Sequence, residues 1–131
     1  MAWLLDTSVA VLLRDSDSEA DHRLAALESI PALSIVSQIE LEGGVMARPA
    51  LTARRRIALD AMLAVLPVLP FDAACASAYR EIVEAKGFSR RKVIDRMIAA
   101  TALVNELSLI TLNRRDFADV PGLNLEVWPT P

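Results

Sequence analysis

Short apolar runs recur along this chain with helix-length segments between them: AWLL, ALSIV, VLPVLP, LSLIT and LNLEVW. No other feature limits the fold so strongly. Runs of this length suit buried strands, and the helical segments that separate them are crossover connections between strands pointing the same way. The alternation predicts an α/β chain: three layers, α/β/α, with a mainly parallel central sheet and helices on both faces.

The connecting segments carry the boundary signals that helices require. Asp17 or Ser18 is placed to cap HRLAALESI, Thr52 to cap the Arg-rich helix that runs to Leu66, and Asp72 to cap AACASAYREIVEAK. Pro49 and Gly87 read as stops. From Val93 to Glu106 the periodicity predicts a helix, with Ile94, Ile98 and Ala102 available to a core.

At 131 residues, 53% of them hydrophobic, the chain is expected to form a single domain over residues 1–131. Its one cysteine, Cys75, permits no internal disulfide and reads as a small core residue. The N-terminus has no basic segment leading into a signal-type apolar run, and no apolar stretch reaches the roughly 20 residues of a membrane-spanning helix. A cytoplasmic protein with no membrane association is the expectation. The net charge of −3 disfavours generic polyanion binding, but the charges are unevenly placed. Residues 1–47 carry two basic and eight acidic side chains, whereas residues 48–92 carry nine basic and four acidic ones. The middle third can therefore present a cationic surface beside an acidic one, although solvated helix faces would give the same pattern.

Acids fall where strands end. Asp6 follows the first run, Glu40 lies in SQIELEGG beyond the second, and Asp116 lies in TLNRRDF beyond LSLIT. Asp95 sits in the first turn of its helix, behind the loop KGFSRRKV. In an open parallel sheet the crevice outside the carboxyl ends of the strands is where ligands bind, so one crevice can collect all four. Uncompensated carboxylates repel one another and resist desolvation, so such a cluster calls for a cation. Oxygen donors favour Mg²⁺ or Mn²⁺ over zinc, and the lone His22 lies in a polar helix away from these segments. Such ions coordinate phosphates and water together, which points to hydrolysis of a phosphate ester.

Each acid also has a purely structural reading. Asp6 can cap the helix that follows it. Ser37 and Glu40 have the spacing of a capping box, in which the glutamate reaches back to the Ser37 amide. Asp95 suits a helix N-terminus and can pair with Arg91 or Arg96, and Asp116 can cap a turn or pair with Arg114 or Arg115. Their common placement at strand ends, more than any one of them, favours a shared role.

The segments LLDTSV, IELEGGV, IDRMIAATAL and TLNRRDF, in this order, span nearly the whole chain. Together they resemble the PIN-domain family, and more narrowly the VapC toxins of bacterial VapBC toxin-antitoxin modules. The resemblance implies that Asp6, Glu40, Asp95 and Asp116 bind divalent metal and carry catalysis. It also implies that Thr7 or Ser8, with Thr111 and Asn113, orient those ligands or water. Glu42 lies two residues from Glu40, and positions two apart on a helix do not share a face; the spacing to Gly44 selects Glu40. Gly43 departs from the family pattern and is expected to loosen the local helix rather than touch the chemistry.

The implied activity is that of a Mg²⁺-dependent endoribonuclease, Mn²⁺ being an alternative ion, that inhibits translation by cutting an RNA of the tRNA or rRNA class. The implied partners are a cognate VapB antitoxin and a second copy of the chain in a homodimer. Arg54, Arg55, Arg56, Arg90, Arg91 and Lys92 are candidates for phosphate contacts that an acidic site cannot make unaided. Two alternatives stand beside this reading. One is a DNA or flap nuclease on the same fold, which a substrate requirement for the 2′-hydroxyl would exclude. The other is a non-catalytic metal-binding interaction module, which SLITLNRRDF disfavours by offering no lysine at a late strand end.

Overall fold

The computed structural model describes residues 2–131. Five strands form one parallel sheet: β1 (Trp3–Leu5), β2 (Ala32–Ser34), β3 (Val68–Leu69), β4 (Ser108–Thr111) and β5 (Leu125–Val127). Their order is β3-β2-β1-β4-β5. The chain moves outward from β1 to one side through β2 and β3, then crosses back to the other side of β1 for β4 and β5. The reversal leaves a crevice between the carboxyl ends of β1 and β4, where successive connections leave for opposite faces.

Helices cover both faces: α1 (Thr7–Arg14), α2 (Ser18–Ala25), α3 (Ile35–Ala47), α4 (Thr52–Val65), α5 (Ala73–Lys86) and α6 (Val93–Val104). Neighbouring side chains on a strand point to opposite faces, and β1 divides the core accordingly. Leu5, Leu33 and Ile110 pack with Val9, Leu13, Leu41, Val45 and Leu59 on the side of α1, α3 and α4. Leu4, Ala32 and Leu109 pack with Ile82, Ile98, Ala99 and Ala102 on the side of α5 and α6. The register sets Leu4 beside Ala32 and Leu109, and Leu5 beside Leu33 and Ile110, so apolar layers continue across strands. Cys75 is buried, as expected of a small core residue, and Trp128 is buried as well. Among the described residues no helix is long and apolar enough to cross a membrane.

The structure corrects several local expectations. The run ALSIV yields a strand only to Ser34, because the Ser34 hydroxyl accepts from the Val36 amide and starts α3 two residues early. Ser37 therefore lies inside the helix rather than capping it. The helix predicted from HRLAALESI stops at Ala25, and Asp17 is its cap. Thr52 does not cap α4; its hydroxyl donates to the Val45 carbonyl at 2.8 Å and so ties α4 to the end of α3. Asp72 caps α5 and Gly87 ends it with φ +82°, a conformation glycine adopts at little cost.

Candidate active site

Asp6 is fixed before any ligand is considered. Its amide donates to the Ile110 carbonyl at 2.8 Å, which extends the β1–β4 pairing by one residue and holds Asp6 at the mouth of the crevice. Its carboxylate caps α1 by accepting from the Thr7 amide at 2.8 Å, and its other oxygen accepts from Ser8 Oγ at 2.7 Å and Thr111 Oγ1 at 2.8 Å. The side chain is 5% exposed. Burial pushes its pKa upward and outweighs the hydroxyl and amide donors, and the Asp116 charge adds to the rise. The capping role and a site role thus coexist in one residue.

Glu40 lies on the exposed side of α3, and its carboxylate accepts from Thr7 Oγ1 at 2.6 Å. Thr7 is also bonded to Ser37 Oγ at 2.8 Å. This replaces the capping box: Ser37 and Glu40, one helical turn apart, face the start of α1 instead of the helix's own first turn. Glu42 points elsewhere, to Arg56 on α4 at 2.8 Å, as the rule for positions two apart requires.

Asp95 and Asp116 form the outer part of the crevice. Asp116 ends the short 3-10 turn Arg114–Asp116 and accepts from Asn113 Nδ2 at 2.9 Å. Asp95 is half-buried in the first turn of α6, and its pKa is pushed up to about 6. Burial is the largest cause, followed by the charges of Asp6, Asp116 and Glu40. The four acids therefore share one electrostatic neighbourhood. Neither pairing offered for Asp95 forms: Arg96 is turned toward Gly87 and Asp119, and among the described residues Asp95 has no ion pair.

A polar cleft of about 290 Å³ opens here, lined by Ser89, Arg91, Lys92, Asp95, Arg115 and Asp116. Of the six cationic candidates for RNA contact, Arg91 and Lys92 are on its wall and Arg90 is in the adjoining turn. Arg54 to Arg56 are not brought to it. Arg55 is held by the Gly44 carbonyl and Asp15, and Arg56 by Glu42 and Asp60. These two bind α4 to its neighbours and are not free for a phosphate. Arg115, considered from sequence only as a partner for Asp116, lines the cleft as a further cation.

The donor set fits a hard cation. Four acids from four separate connections share one electrostatic neighbourhood, burial and their mutual repulsion raise the pKa of Asp95, and among the described residues no histidine or cysteine accompanies them. The fit lies in charge and donor type. Among the described residues no three acidic, histidine or cysteine side chains already stand close enough to clasp an ion.

Known proteins share this fold. The PIN domain model matches residues 3–123, and the chain belongs to that family. It is 28% identical to a protein named ribonuclease VapC2 of Rickettsia felis over 134 aligned positions, covering 98% of each chain. It is 26% identical to a tRNA(fMet)-specific endonuclease VapC of Shigella flexneri, again covering 98% of each. Among solved structures, a VapBC2 complex of Rickettsia felis bound to a DNA fragment from its promoter contains a chain that matches with a TM-score of 0.85. That chain shows 27% identity, with coverage of 98% of this chain and 99% of that one.

Proposed function

We propose that this PIN-domain chain is the toxin of a type II toxin-antitoxin pair. In this reading it acts as one domain over residues 1–131, a metal-dependent endoribonuclease that hydrolyses RNA phosphodiester bonds in the cytoplasm and inhibits translation. The observation that carries the reading is the gathering of Asp6, Glu40, Asp95 and Asp116 at the sheet's switch point, with Asp95 raised to about 6 by burial and by the other three. The names of the similar proteins support the ribonuclease class, and the VapBC complex among the similar structures supports a VapB-type antitoxin as partner. A tRNA or rRNA substrate and a homodimer belong to the same reading, as does Mg²⁺, or Mn²⁺ in its place.

Asp6, Asp95 and Asp116 are the residues that would hold the ion, with Glu40 as a fourth ligand or as the orienter of attacking water. When bound, the ion supplies Lewis acidity toward a phosphate oxygen and a lowered pKa for water. The chain's own part is positioning. Thr111 and Ser8 hold Asp6 in one rotamer by donating to the same oxygen, leaving the other oxygen shared with the Thr7 amide. Thr7 aims Glu40 in the same way, and Asn113 aims Asp116. Arg91, Lys92 and Arg115 give the acidic cleft a cationic wall, against which the phosphates on either side of the scissile bond can rest without facing uncompensated carboxylates.

The test is incubation of antitoxin-free protein with labelled cellular RNA in Mg²⁺, in EDTA, and as Asp6→Asn. Asparagine caps a helix as well as aspartate, so the variant keeps its fold while losing the charge. Discrete metal-dependent products that vanish in the variant support the reading. Equal cleavage by variant and wild type would refute it and revive the binding-module alternative, while cutting of DNA without a 2′-hydroxyl requirement would favour the DNA nuclease.

A further inference from the structure

Arg96 is 3% exposed at the start of α6, and a charge so deeply placed needs partners. Asp95 is its sequence neighbour, yet the guanidinium points away from it. Nη1 donates to the Gly87 carbonyl at 2.6 Å, and Nη2 lies 3.5 Å from Asp119 Oδ2. Lys92 Nζ shares that oxygen at 3.4 Å. Three segments therefore meet at one point: the end of α5, the turn that leads into α6, and the stretch that follows Asp116. Of the residues lining the cleft, Ser89, Arg91, Lys92 and Asp95 lie between Gly87 and Arg96, and Arg115 and Asp116 immediately precede the stretch that carries Asp119. Among the described residues, the other side-chain hydrogen bonds of these segments stay within a segment.

Resting on the function proposed above, we propose that Arg96 and Asp119 are positioning residues: a buried clamp that sets Asp95 and Asp116 where a divalent cation can bind both. Stability alone is a poor reason for such a clamp. Replacing a buried ion pair by apolar side chains of similar volume is often neutral or stabilising. Here Arg96 Nε and Asp119 Oδ1 are buried with no hydrogen-bond partner, so the pair leaves part of its desolvation uncompensated. What an apolar pair cannot supply is direction, because a guanidinium fork bonded to a backbone carbonyl and a carboxylate fixes the relative placement of both. The outer acids need that placement more than the inner ones, since no hydroxyl network of the kind around Asp6 surrounds them. Asp119 is held below the usual carboxylate range: burial opposes this, but the hydrogen bond and charge of Lys92 and the charge of Arg96 prevail. The clamp is therefore ionic on both sides at neutral pH.

The experiment uses the full chain as wild type, Asp119→Asn, Asp119→Glu and Arg96→Lys, with Asp15→Asn as a control. Asp15 pairs with Arg14, another buried arginine, away from the cleft. Mn²⁺ binding is read from the loss of the free-ion paramagnetic resonance signal, thermal unfolding is followed in parallel, and RNA cleavage is resolved into kcat and KM. Asp119→Asn and Arg96→Lys are expected to weaken Mn²⁺ binding roughly 10- to 100-fold and to lower kcat, with kcat partly recovered at high Mn²⁺. Asp119→Glu is expected to recover much of the affinity, and Asp15→Asn to lower the unfolding temperature with Mn²⁺ affinity unchanged. If the folded Asp119 and Arg96 variants bind Mn²⁺ as wild type does, the clamp has no positioning role. A loss of Mn²⁺ affinity in Asp15→Asn equal to theirs would overturn the proposal too, since any destabilisation would then suffice. Wild type that neither binds Mn²⁺ nor cleaves RNA would overturn the proposed function and the clamp with it.

Discussion

The inner and outer halves of the acidic site are held by different means. Asp6 and Glu40 are tied by backbone amide and hydroxyl donors that come from β4 and from α1, which starts directly at the end of β1. Asp95 and Asp116 stand on connections beyond the sheet; among the described residues Asp116 has one side-chain amide donor, and around Asp95 burial and the repulsion of neighbouring acids outweigh the attraction of Lys92. The inner half is a fixed point, and the outer half is a set of charges waiting for a counter-charge. In the proposed metal-binding role this division is useful, because one rigid ligand would define the site while the outer acids would supply the affinity for a cation.

Loss of the fixed point is expected to have the largest effect. Asp6→Asn should lower kcat by at least roughly 10²-fold, of the order seen when a preorganised charged or donor group is removed from an active site, with the unfolding temperature close to that of wild type. Single-turnover cleavage beside a melting curve checks both. If the inner half matters through its rigidity, Thr111→Val should follow with a drop of about 10- to 100-fold. It deletes the hydroxyl that donates to Asp6 while keeping shape and β-branching. Asn113→Ala, which frees the outer Asp116, should cost less than Thr111→Val, and the reverse ranking would break the comparison.

The outer half gives a pH dependence of defined sign. In metal-free protein the folded chain holds the Asp95 proton to about pH 6, against an ordinary value of 3.8 when unfolded. Because the folded state binds that proton more tightly, this group lowers stability as pH rises from about 4 through 6. Asp15 and Asp119, with lowered values, work in the opposite direction. The informative quantity is therefore the difference between wild type and Asp95→Asn: the variant should gain unfolding temperature relative to wild type as pH increases across that window. Added Mg²⁺ should reverse the sign, stabilising wild type more at pH 7.5 than at pH 5, since the ion requires the carboxylate that the proton occupies. A difference that is flat with pH would show that Asp95 is not strained.

The inner half was also the more legible part of the chain. Apolar runs located all five strands, and acids just beyond them located the crevice, because a parallel sheet puts its strand ends on one side. Hydroxyls adjacent to those acids, Thr7, Ser8 and Thr111, fell where the structure uses them. What sequence could not deliver depended on side-chain direction across long separations. Ser37 and Glu40 have capping-box spacing, and only the early start of α3 at Ile35 turns them toward Thr7. The arginines of α4 and those before α6 look alike as runs of charge, but Glu42, Asp60 and Asp15 neutralise Arg55 and Arg56 through tertiary contacts. Arg96 read as a partner for Asp95, whereas its rotamer carries it to Gly87, nine residues back.

The smallest expected effect sharpens the comparison most, because it tests rigidity without touching a charge. Gly43 and Gly44 both lie inside α3, the helix that carries Glu40. A Cβ built on Gly43 meets nothing within 4 Å, so Gly43→Ala should add about 0.5–1 kcal/mol through lower backbone entropy in the unfolded chain, a rise of roughly 3 °C in unfolding temperature. A Cβ on Gly44 would stand 2.5 Å from Arg14 Nη1, in a buried guanidinium that is already paired with Asp15, so Gly44→Ala should destabilise. If Glu40 is already fixed by Thr7, stiffening α3 at Gly43 leaves kcat and KM as they were. A change in kcat for Gly43→Ala would mean that Glu40 moves during turnover; it would then belong with the outer acids, and Asp6 alone would remain the fixed point of the site.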